Sequence, residues 1–256
     1  PVLLKAPDSE AKVYQGKWKN NTTWNYDTRE NTLMIKCCGK MIDDIEACGE
    51  HSGWPRFYKS AQKIVLVKGI TYIGSGAFEG FSHIKKIQIP NGVTQIGKSA
   101  FEDCYKLHKI YFPETLKSIE NDAFNATAIE EISLKNIEFL GESCFSGSQL
   151  KKVHILRKTK KIGAYVFAGC KKLKKATVEN GVKYISDGMF CATALKNITI
   201  PGSVMKIGED AFSYCQNLKK ATINEGVKKI GKDAFSNTAL EEITIPSTVT
   251  ELGKNA

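Results

Sequence analysis

The sequence has no apolar run long enough to cross a membrane. Its apolar runs, such as Ile64–Val67, have the length of a β-strand, whereas a transmembrane helix needs about 18 or more consecutive apolar residues. We therefore expect no membrane insertion by this segment. Residues 1–10 also lack a methionine, a basic n-region and an apolar h-region, so they do not settle whether a signal peptide once preceded the chain.

Motifs of catalysis and of metal binding are missing as well. The four histidines, His51, His83, His108 and His154, form no His-Glu-x-x-His motif and fit no triad order around a serine. No Cys-x-x-Cys pair is present, so a structural zinc site has no support. We expect no catalytic residue, no metal ligand and no cofactor, and hence a protein that is not an enzyme.

A pair made of a small or aliphatic residue and a phenylalanine recurs eight times. The phenylalanines follow one another at spacings of 21–23 residues: Phe78, Phe101, Phe124, Phe145, Phe167, Phe190, Phe212 and Phe235. An aliphatic residue, usually followed by glycine, stands about four residues before each pair, and an alternating Ile-x-Ile pattern, often closed by proline, follows it. No unit of about 22 residues has enough apolar surface to fold alone. The units must therefore stack into a solenoid.

The recurring glycine and proline of each unit both have structural explanations. The glycine after the aliphatic residue, as in Gly97 and Gly231, is expected in a bend where a positive φ is costly for other residues. The proline after Ile-x-Ile, as in Pro90 and Pro201, is expected to end a strand because it cannot donate the next ladder hydrogen bond.

These units resemble BspA-like leucine-rich repeats, whose pattern is a Leu, then Ile-x-Ile-Pro, then Val-x-x-Ile-Gly-x-x-Ala-Phe-x-x-Cys. One closely matching unit contains Val93, Ile96, Gly97, Ala100, Phe101, Cys104 and Leu107. The resemblance covers roughly residues 64–256, although Lys135, Leu156, Glu179 and Asn224 stand where proline is expected. It implies a β-rich solenoid, a leucine-rich-repeat-like right-handed superhelix of about eight units of 22–23 residues.

Residues 1–62 do not repeat, and they contain the three tryptophans, Trp18, Trp24 and Trp54. The segments 23–27 and 32–35 predict a β-hairpin. This region is similar to the N-terminal cap of such repeats in surface proteins of gut bacteria. We expect residues 1–62 to cover the open end of the solenoid of residues 63–256; an independent binding domain is the alternative. Residues 251–256 begin another repeat turn and stop before its phenylalanine, so we expect a fragment of a longer protein or an unordered remainder.

Five of the eight cysteines lie beside a recurring phenylalanine or three residues after it: Cys104, Cys144, Cys170, Cys191 and Cys215. We expect these to be free thiols in core or bend positions, where a small apolar side chain packs well. The other three precede the repeats. One disulfide could join Cys48 to Cys37 or to Cys38, and would leave one cysteine unpaired.

The net charge of +10 is concentrated in one third of the chain, since residues 149–232 carry 18 basic and 5 acidic side chains. We define the basic ridge as twelve of these residues: Lys151, Lys152, Arg157, Lys158, Lys160, Lys161, Lys171, Lys172, Lys174, Lys175, Lys219 and Lys220. Strands of stacked units lie about 4.8 Å apart, so like charges in one column repel. That repulsion favours an anionic partner. The simpler interpretation is a solvated surface whose lysines protect sheet edges.

The position between the two apolar residues of each Ile-x-Ile pattern is polar and predicts an outward-facing column. The candidate sheet face consists of Tyr111, His154, Thr177, Thr199 and Thr222. The resemblance implies adhesion, so we expect a secreted or cell-surface protein that binds a host or microbial protein or an acidic polysaccharide. Nucleic acid is not expected, because the ridge lacks interleaved aromatics. The alternative function is a structural spacer that presents a domain beyond Ala256.

Overall fold

The computed structural model describes residues 11–17, 22–41, 43, 57 and 59–256. These residues form 20 strands and no helix, and they offer no candidate for a membrane-spanning helix. The strands are β1 Val13–Lys17, β2 Thr23–Asp27, β3 Thr32–Lys36, β4 Gly39–Lys40, β5 Lys63–Leu66, β6 Ile70–Ile73, β7 Lys86–Gln88, β8 Gln95–Ile96, β9 Lys109–Tyr111, β10 Ser118–Ile119, β11 Phe139–Leu140, β12 Lys152–Ile155, β13 Lys161–Ile162, β14 Lys175–Val178, β15 Tyr184–Ile185, β16 Asn197–Ile200, β17 Lys206–Ile207, β18 Lys220–Ile223, β19 Lys229–Ile230 and β20 Glu251–Leu252.

The predicted hairpin is present near the N-terminus. Strands β2 and β3 pair antiparallel with Asp27 opposite Thr32, and β1 lies antiparallel on the other side of β2. Strand β3 then pairs in parallel with β5, the first strand of the repeats. The N-terminal sheet is therefore continuous with the solenoid. Its role as a cap stays a prediction, and Trp18, Trp54, His51 and Cys48 lie outside the described residues.

Each repeat unit contributes two short strands to two parallel stacks. The Ile-x-Ile strands pair as β7 with β9, β12 with β14, and β16 with β18. The strands that end at the aliphatic–glycine step form the rows β4-β6-β8-β10-β11-β13 and β15-β17-β19-β20. Neighbouring units pair at equivalent positions, for example Ile207 with Ile230. This arrangement confirms the predicted β-solenoid of about eight turns.

The recurring phenylalanines form one continuous column in the core. Consecutive rings stack with centroids 5.1–6.0 Å apart and interplanar angles of 5–23°. Seven of the rings are fully buried, and Phe235, the last, is 8% exposed. Because each ring needs the unit before and the unit after it, burial is available only to a stacked array.

The glycine after the aliphatic residue was predicted to have a positive φ, and this prediction was wrong. Neither Gly97 nor Gly231 has a positive φ. A Cβ atom at Gly231 would lie 2.6 Å from the backbone nitrogen of Glu209 in the preceding unit. Glycine at Gly231 is therefore explained by the close approach of the preceding backbone, although Glu120 and Ser186 occupy the equivalent position in two other units.

Positive φ angles occur instead two residues before and two residues after each recurring phenylalanine, at 52–70°. Around Phe101, for example, these residues are Ser99 and Asp103. Asp and Asn adopt this left-handed conformation more readily than most residues with a Cβ, and glycine does so without cost. The tight bend that carries the phenylalanine is therefore made by two left-handed residues.

The proline prediction agrees with the hydrogen bonds of the units that lack proline. At the proline position, Glu179 donates its N–H to the carbonyl of Ile155 at 2.9 Å, and Asn224 donates to Ile200 at 3.0 Å. Proline cannot make this bond. In Pro201, the carbonyl instead accepts a hydrogen bond from Val204 N at 3.0 Å, which begins the turn after the strand.

Candidate binding surfaces

The five residues of the candidate sheet face lie at the outward position of their strands. His154 stands opposite Thr177 and Thr199 opposite Thr222 in the parallel ladders. His154, Thr199, Thr222 and Tyr111 are exposed, and Thr177 is half-buried. His154 Nδ1 and Thr177 Oγ1 are hydrogen-bonded at 2.6 Å. The column therefore offers hydroxyl, imidazole and phenol groups to a ligand across neighbouring units.

The structure distributes the basic ridge over three positions of the repeat. Six residues lie immediately before or at the start of Ile-x-Ile strands: Lys151, Lys152, Lys174, Lys175, Lys219 and Lys220. Lys171 and Lys172 lie in the turn before that position. Arg157 and Lys158 follow the Ile-x-Ile strand β12, and Lys160 and Lys161 lead into the second strand of the same unit. All twelve side chains are exposed.

Four ridge residues form ion pairs with acidic residues of an adjacent unit. The charged atoms are 2.6 Å apart for Lys151 with Glu130, 3.7 Å for Lys152 with Glu131, 3.5 Å for Arg157 with Glu179 and 3.3 Å for Lys160 with Glu138. The hydrogen bond from Lys151 lowers the pKa of the Glu130 carboxyl and raises the pKa of the Lys151 ammonium. These exposed pairs neutralise part of the ridge, and each contributes little to stability.

Within the part of the chain that the structure describes, eight ridge lysines have no acidic side-chain oxygen within 4 Å. They are Lys158, Lys161, Lys171, Lys172, Lys174, Lys175, Lys219 and Lys220. Lys175 also stands directly opposite Lys152 in the ladder, as expected for a column of like charge. These eight lysines are the part of the ridge whose charge is not balanced by an ion pair with a described residue.

The buried cysteines have the chemistry of packing groups. Cys104, Cys170 and Cys215 donate Sγ–H hydrogen bonds to main-chain carbonyls at 3.0–3.2 Å, and Cys144 is fully buried. Burial raises the pKa of all four thiols, that of Cys170 to about 11. A thiol that stays protonated is a poor nucleophile.

Three further cysteines lie among the described residues. Cys191 is half-buried, Cys37 is buried and Cys38 is exposed, and each is a free thiol. Cys48 lies outside the described residues, but the predicted bridge from it to Cys37 or Cys38 does not agree with the free thiols of these two residues. Across the described ranges, no group of three or more His, Cys, Asp or Glu side chains is placed to hold a metal ion.

A polar cluster joins residue 43 to the first repeat. Tyr72 Oη donates a hydrogen bond to Asp43 Oδ1 at 2.6 Å, and Ser75 N donates to the same oxygen at 2.7 Å. Burial raises the pKa of Tyr72 to about 12, and the bond to Asp43 adds to the shift. Burial also acts to raise the pKa of Asp43, but the bonds from Tyr72 and Ser75 hold it below its usual value.

Sequence periodicity does not predict one further feature, a cleft on the sheet side between β5 and β7. Its volume is about 600 Å³, and three lysines reach it: Lys63, Lys68 and Lys86. The exposed side chains of Gln88 and Tyr111 line the same cleft. The residues are far apart in the chain, and only the stacking of the first units brings them together.

Comparison with known proteins identifies the repeat. A family model described as the BspA type leucine-rich repeat region, in six copies, matches residues 56–163 and 138–256. No curated protein matches the chain.

Solved structures share the fold. A leucine-rich repeat protein from Eubacterium ventriosum is 25% identical with a TM-score of 0.74, and the match covers 94% of this chain and 68% of that chain. One from Bacteroides ovatus is 24% identical with a TM-score of 0.69, covering 91% and 59%. The chain thus spans roughly three fifths to two thirds of these two proteins. A leucine-rich repeat protein from T. pallidum, 19% identical with a TM-score of 0.52, covers 94% and 83%.

Proposed function

The chain belongs to the BspA-type leucine-rich repeat family, and we propose that it is a non-enzymatic, secreted or cell-surface module that binds an anionic macromolecule. The partner is an acidic polysaccharide or an acidic protein of host or microbial origin. Binding uses the candidate sheet face together with the eight ridge lysines that lack an acidic neighbour among the described residues. The proposed location and adhesive role come from the family resemblance.

One observation carries this proposal: a polar, mostly exposed column runs along the stacked parallel strands beside these lysines. His154 and Thr177, bonded to each other across two units, have two exposed lysines two positions earlier on the same strands. Of these, Lys175 is one of the eight, and Lys152 is paired with Glu131. Hydroxyl and imidazole groups can hydrogen-bond a polar chain, while the ammonium groups attract its charge. The stacked units hold both sets of groups in register over several repeats.

The test is a charge reversal within the ridge. The variant carries Lys171→Glu, Lys172→Glu, Lys174→Glu and Lys175→Glu, and it is compared with wild type on an immobilised sulfated polysaccharide. We expect wild type to elute at a salt concentration above physiological, and the ridge variant to elute well below it, because exposed charges at these distances are screened by salt.

A matched control separates a local site from net charge. Lys36, Lys98, Lys135 and Lys254 are exposed and lie outside the ridge, so reversing these four changes the net charge by the same amount. We expect the control to elute close to wild type. Equal losses for both variants would refute a ridge site, and no retention of wild type would favour the spacer. Far-UV circular dichroism verifies that all three proteins are folded.

A further inference from the structure

The cleft between β5 and β7 lies at the opposite end of the repeats from the basic ridge. The exposed side chains of Lys63, Lys68 and Lys86 converge on a volume of about 600 Å³, and no acidic residue lines it. Lys109, exposed and directly opposite Lys86 in the ladder, adds a fourth ammonium beside it. Its Nζ lies 5.4 Å from the centroid of the Tyr111 ring. The charge of this cleft is therefore concentrated and of one sign.

Its lysines also keep their charge free for a ligand. Among the described residues, Lys63, Lys68, Lys86 and Lys109 have no acidic oxygen within 4 Å. Glu131 contributes a more distant attraction to Lys109. In contrast to Lys151 and its neighbours in the ridge, these four lysines form no ion pair with a described acidic residue. An anion in the cleft would therefore compete with no acidic side chain of the described residues for them.

The strands that border the cleft limit what can enter it. Strand β5 pairs with β3 and β7 with β9, but over these described strands no backbone hydrogen bond joins β5 to β7. A similar interruption separates β14 from β16. The bordering strands approach to within 8 Å between Cα atoms, whereas an inserted strand needs about 4.8 Å on each side. An extended peptide therefore cannot pair between them, and a ligand has to lie on the face that the lining side chains form.

We propose that this cleft binds a single carboxylated sugar unit, of the uronic acid type, at the end or within the chain of an acidic glycan. The ammonium groups pair with the carboxylate, and the amides of Gln88 and Asn91 can hydrogen-bond ring hydroxyls. Tyr111, 48% exposed, and Pro90 offer apolar surface to the sugar ring. A volume of this size is typical of small-ligand sites.

This inference deepens the proposed function, and it rests on that function for the anionic nature of the partner. It assigns to the first units a subsite for the sugar itself, distinct from the ridge of residues 151–220. The ridge and the cleft share no residue, so the ridge variant and a variant of Lys86 can fail independently, whereas Tyr111 belongs both to the cleft and to the candidate sheet face. Variants of the cleft test the subsite, and the charge-reversed ridge variant tests the rest.

The probe is glucuronate, titrated into the full chain and followed by ligand-detected NMR, with glucuronate methyl ester as a neutral isostere. We expect saturable millimolar binding of glucuronate, and binding of the ester weaker by about tenfold, the effect of losing one charge-assisted contact. Lys86→Ala and Tyr111→Ala should each weaken glucuronate binding by a similar factor. The ridge variant should bind glucuronate as wild type does.

Three results would overturn the inference: no saturable binding of glucuronate, equal binding of the ester, or unchanged affinity in both cleft variants. Binding of an Asp- and Glu-rich peptide that displaces glucuronate would overturn the choice of a sugar. Because both substituted side chains are exposed, we expect unchanged urea midpoints. If the Lys86 variant does unfold, Lys86→Gln, which keeps a long polar side chain without the charge, replaces it. If only the ridge variant loses retention on the polysaccharide and it still binds glucuronate, the inference about the cleft stands.

Discussion

The phenylalanine column makes a prediction that depends on position within the array. Phe145 is fully buried, and its ring stacks on Phe124 at 5.3 Å and on Phe167 at 6.0 Å. Phe235 is 8% exposed and stacks only on Phe212, at 5.1 Å, within the described residues. Phe145→Ala therefore removes a phenylalanine ring that has two stacked neighbours, and Phe235→Ala removes one that has a single stacked neighbour among the described residues.

The magnitudes follow from burial and stacking. Truncation of a buried phenylalanine costs about 3–5 kcal/mol, depending on the cavity left behind, and each ring pair contributes about 0.5–1.5 kcal/mol. We expect a loss of about 4–5 kcal/mol for Phe145→Ala and about 2–3 kcal/mol for Phe235→Ala. Coupling in a solenoid passes only between neighbouring units, so the first change also uncouples the units on either side.

Urea unfolding followed by far-UV circular dichroism gives the loss of stability, and hydrogen exchange by mass spectrometry shows where it falls. Phe145→Ala should lose protection in residues 124–167, and Phe235→Ala should lose it only in the last units. Phe145→Leu, which leaves a smaller cavity, is the control and should lose less. Equal losses at the two positions, or a loss below about 1 kcal/mol for Phe145→Ala, would refute a core shared between neighbouring units.

Three further predictions concern the backbone, the thiols and the polar cluster. Gly231→Ala should destabilise the protein by about 1–3 kcal/mol, measured by urea unfolding, because the new Cβ meets the preceding backbone. In the folded protein, iodoacetamide at neutral pH should modify Cys38 rapidly and Cys104 only at the rate of unfolding, as read by mass spectrometry, because burial raises the pKa of the Cys104 thiol. Asp43→Asn should cost stability at pH 7, and its difference from wild type should shrink below about pH 4, because the lowered pKa of Asp43 contributes stability only while the group is ionised.

Each of these has a control and a contrary result. Gly169 has a positive φ of 68° but no atom of the preceding unit within 3.4 Å of an added Cβ; Gly169→Asn should cost less than Gly231→Ala, and the reverse order would contradict the close-approach explanation. Equal labelling rates for Cys104 and Cys38 would contradict the burial. In a Tyr72→Phe background, the stability difference caused by Asp43→Asn should depend less on pH. A stability difference between wild type and Asp43→Asn that stays constant from pH 7 to pH 3 would contradict the carboxylate's role.

Much of the fold can be predicted from the sequence because the same pattern of residues recurs in every unit. The spacing of the phenylalanines and the Ile-x-Ile alternation predict the two strand stacks and the outward column of His154 and Thr177. The strand patterns of segments 23–27 and 32–35, which lie outside the repeats, predict the hairpin. The φ angles were beyond reach, because a glycine required by close approach and a glycine required by conformation look alike in sequence. Gly231 belongs to the first kind and Gly169 to the second.

The surfaces were less predictable than the core. Lys151 and Glu130 are 21 residues apart and meet at 2.6 Å, yet a count of charges by segment places one of them in the basic third and the other outside it. The cleft beside Tyr111 depends on an interrupted ladder between two strands that both have ordinary strand sequences. The ion pairs and the cleft depend on contacts between neighbouring units, which are set by how the units stack. The sequence pattern of a single unit does not predict these contacts.

The most direct test of the proposed function is an array of glycans and matrix proteins probed with the purified chain at low and at physiological salt. The account predicts saturable binding to sulfated and uronic ligands that weakens as the salt concentration rises, since exposed lysines carry the interaction. No binding at either salt concentration, or binding to neutral glycans that is insensitive to salt, would contradict it.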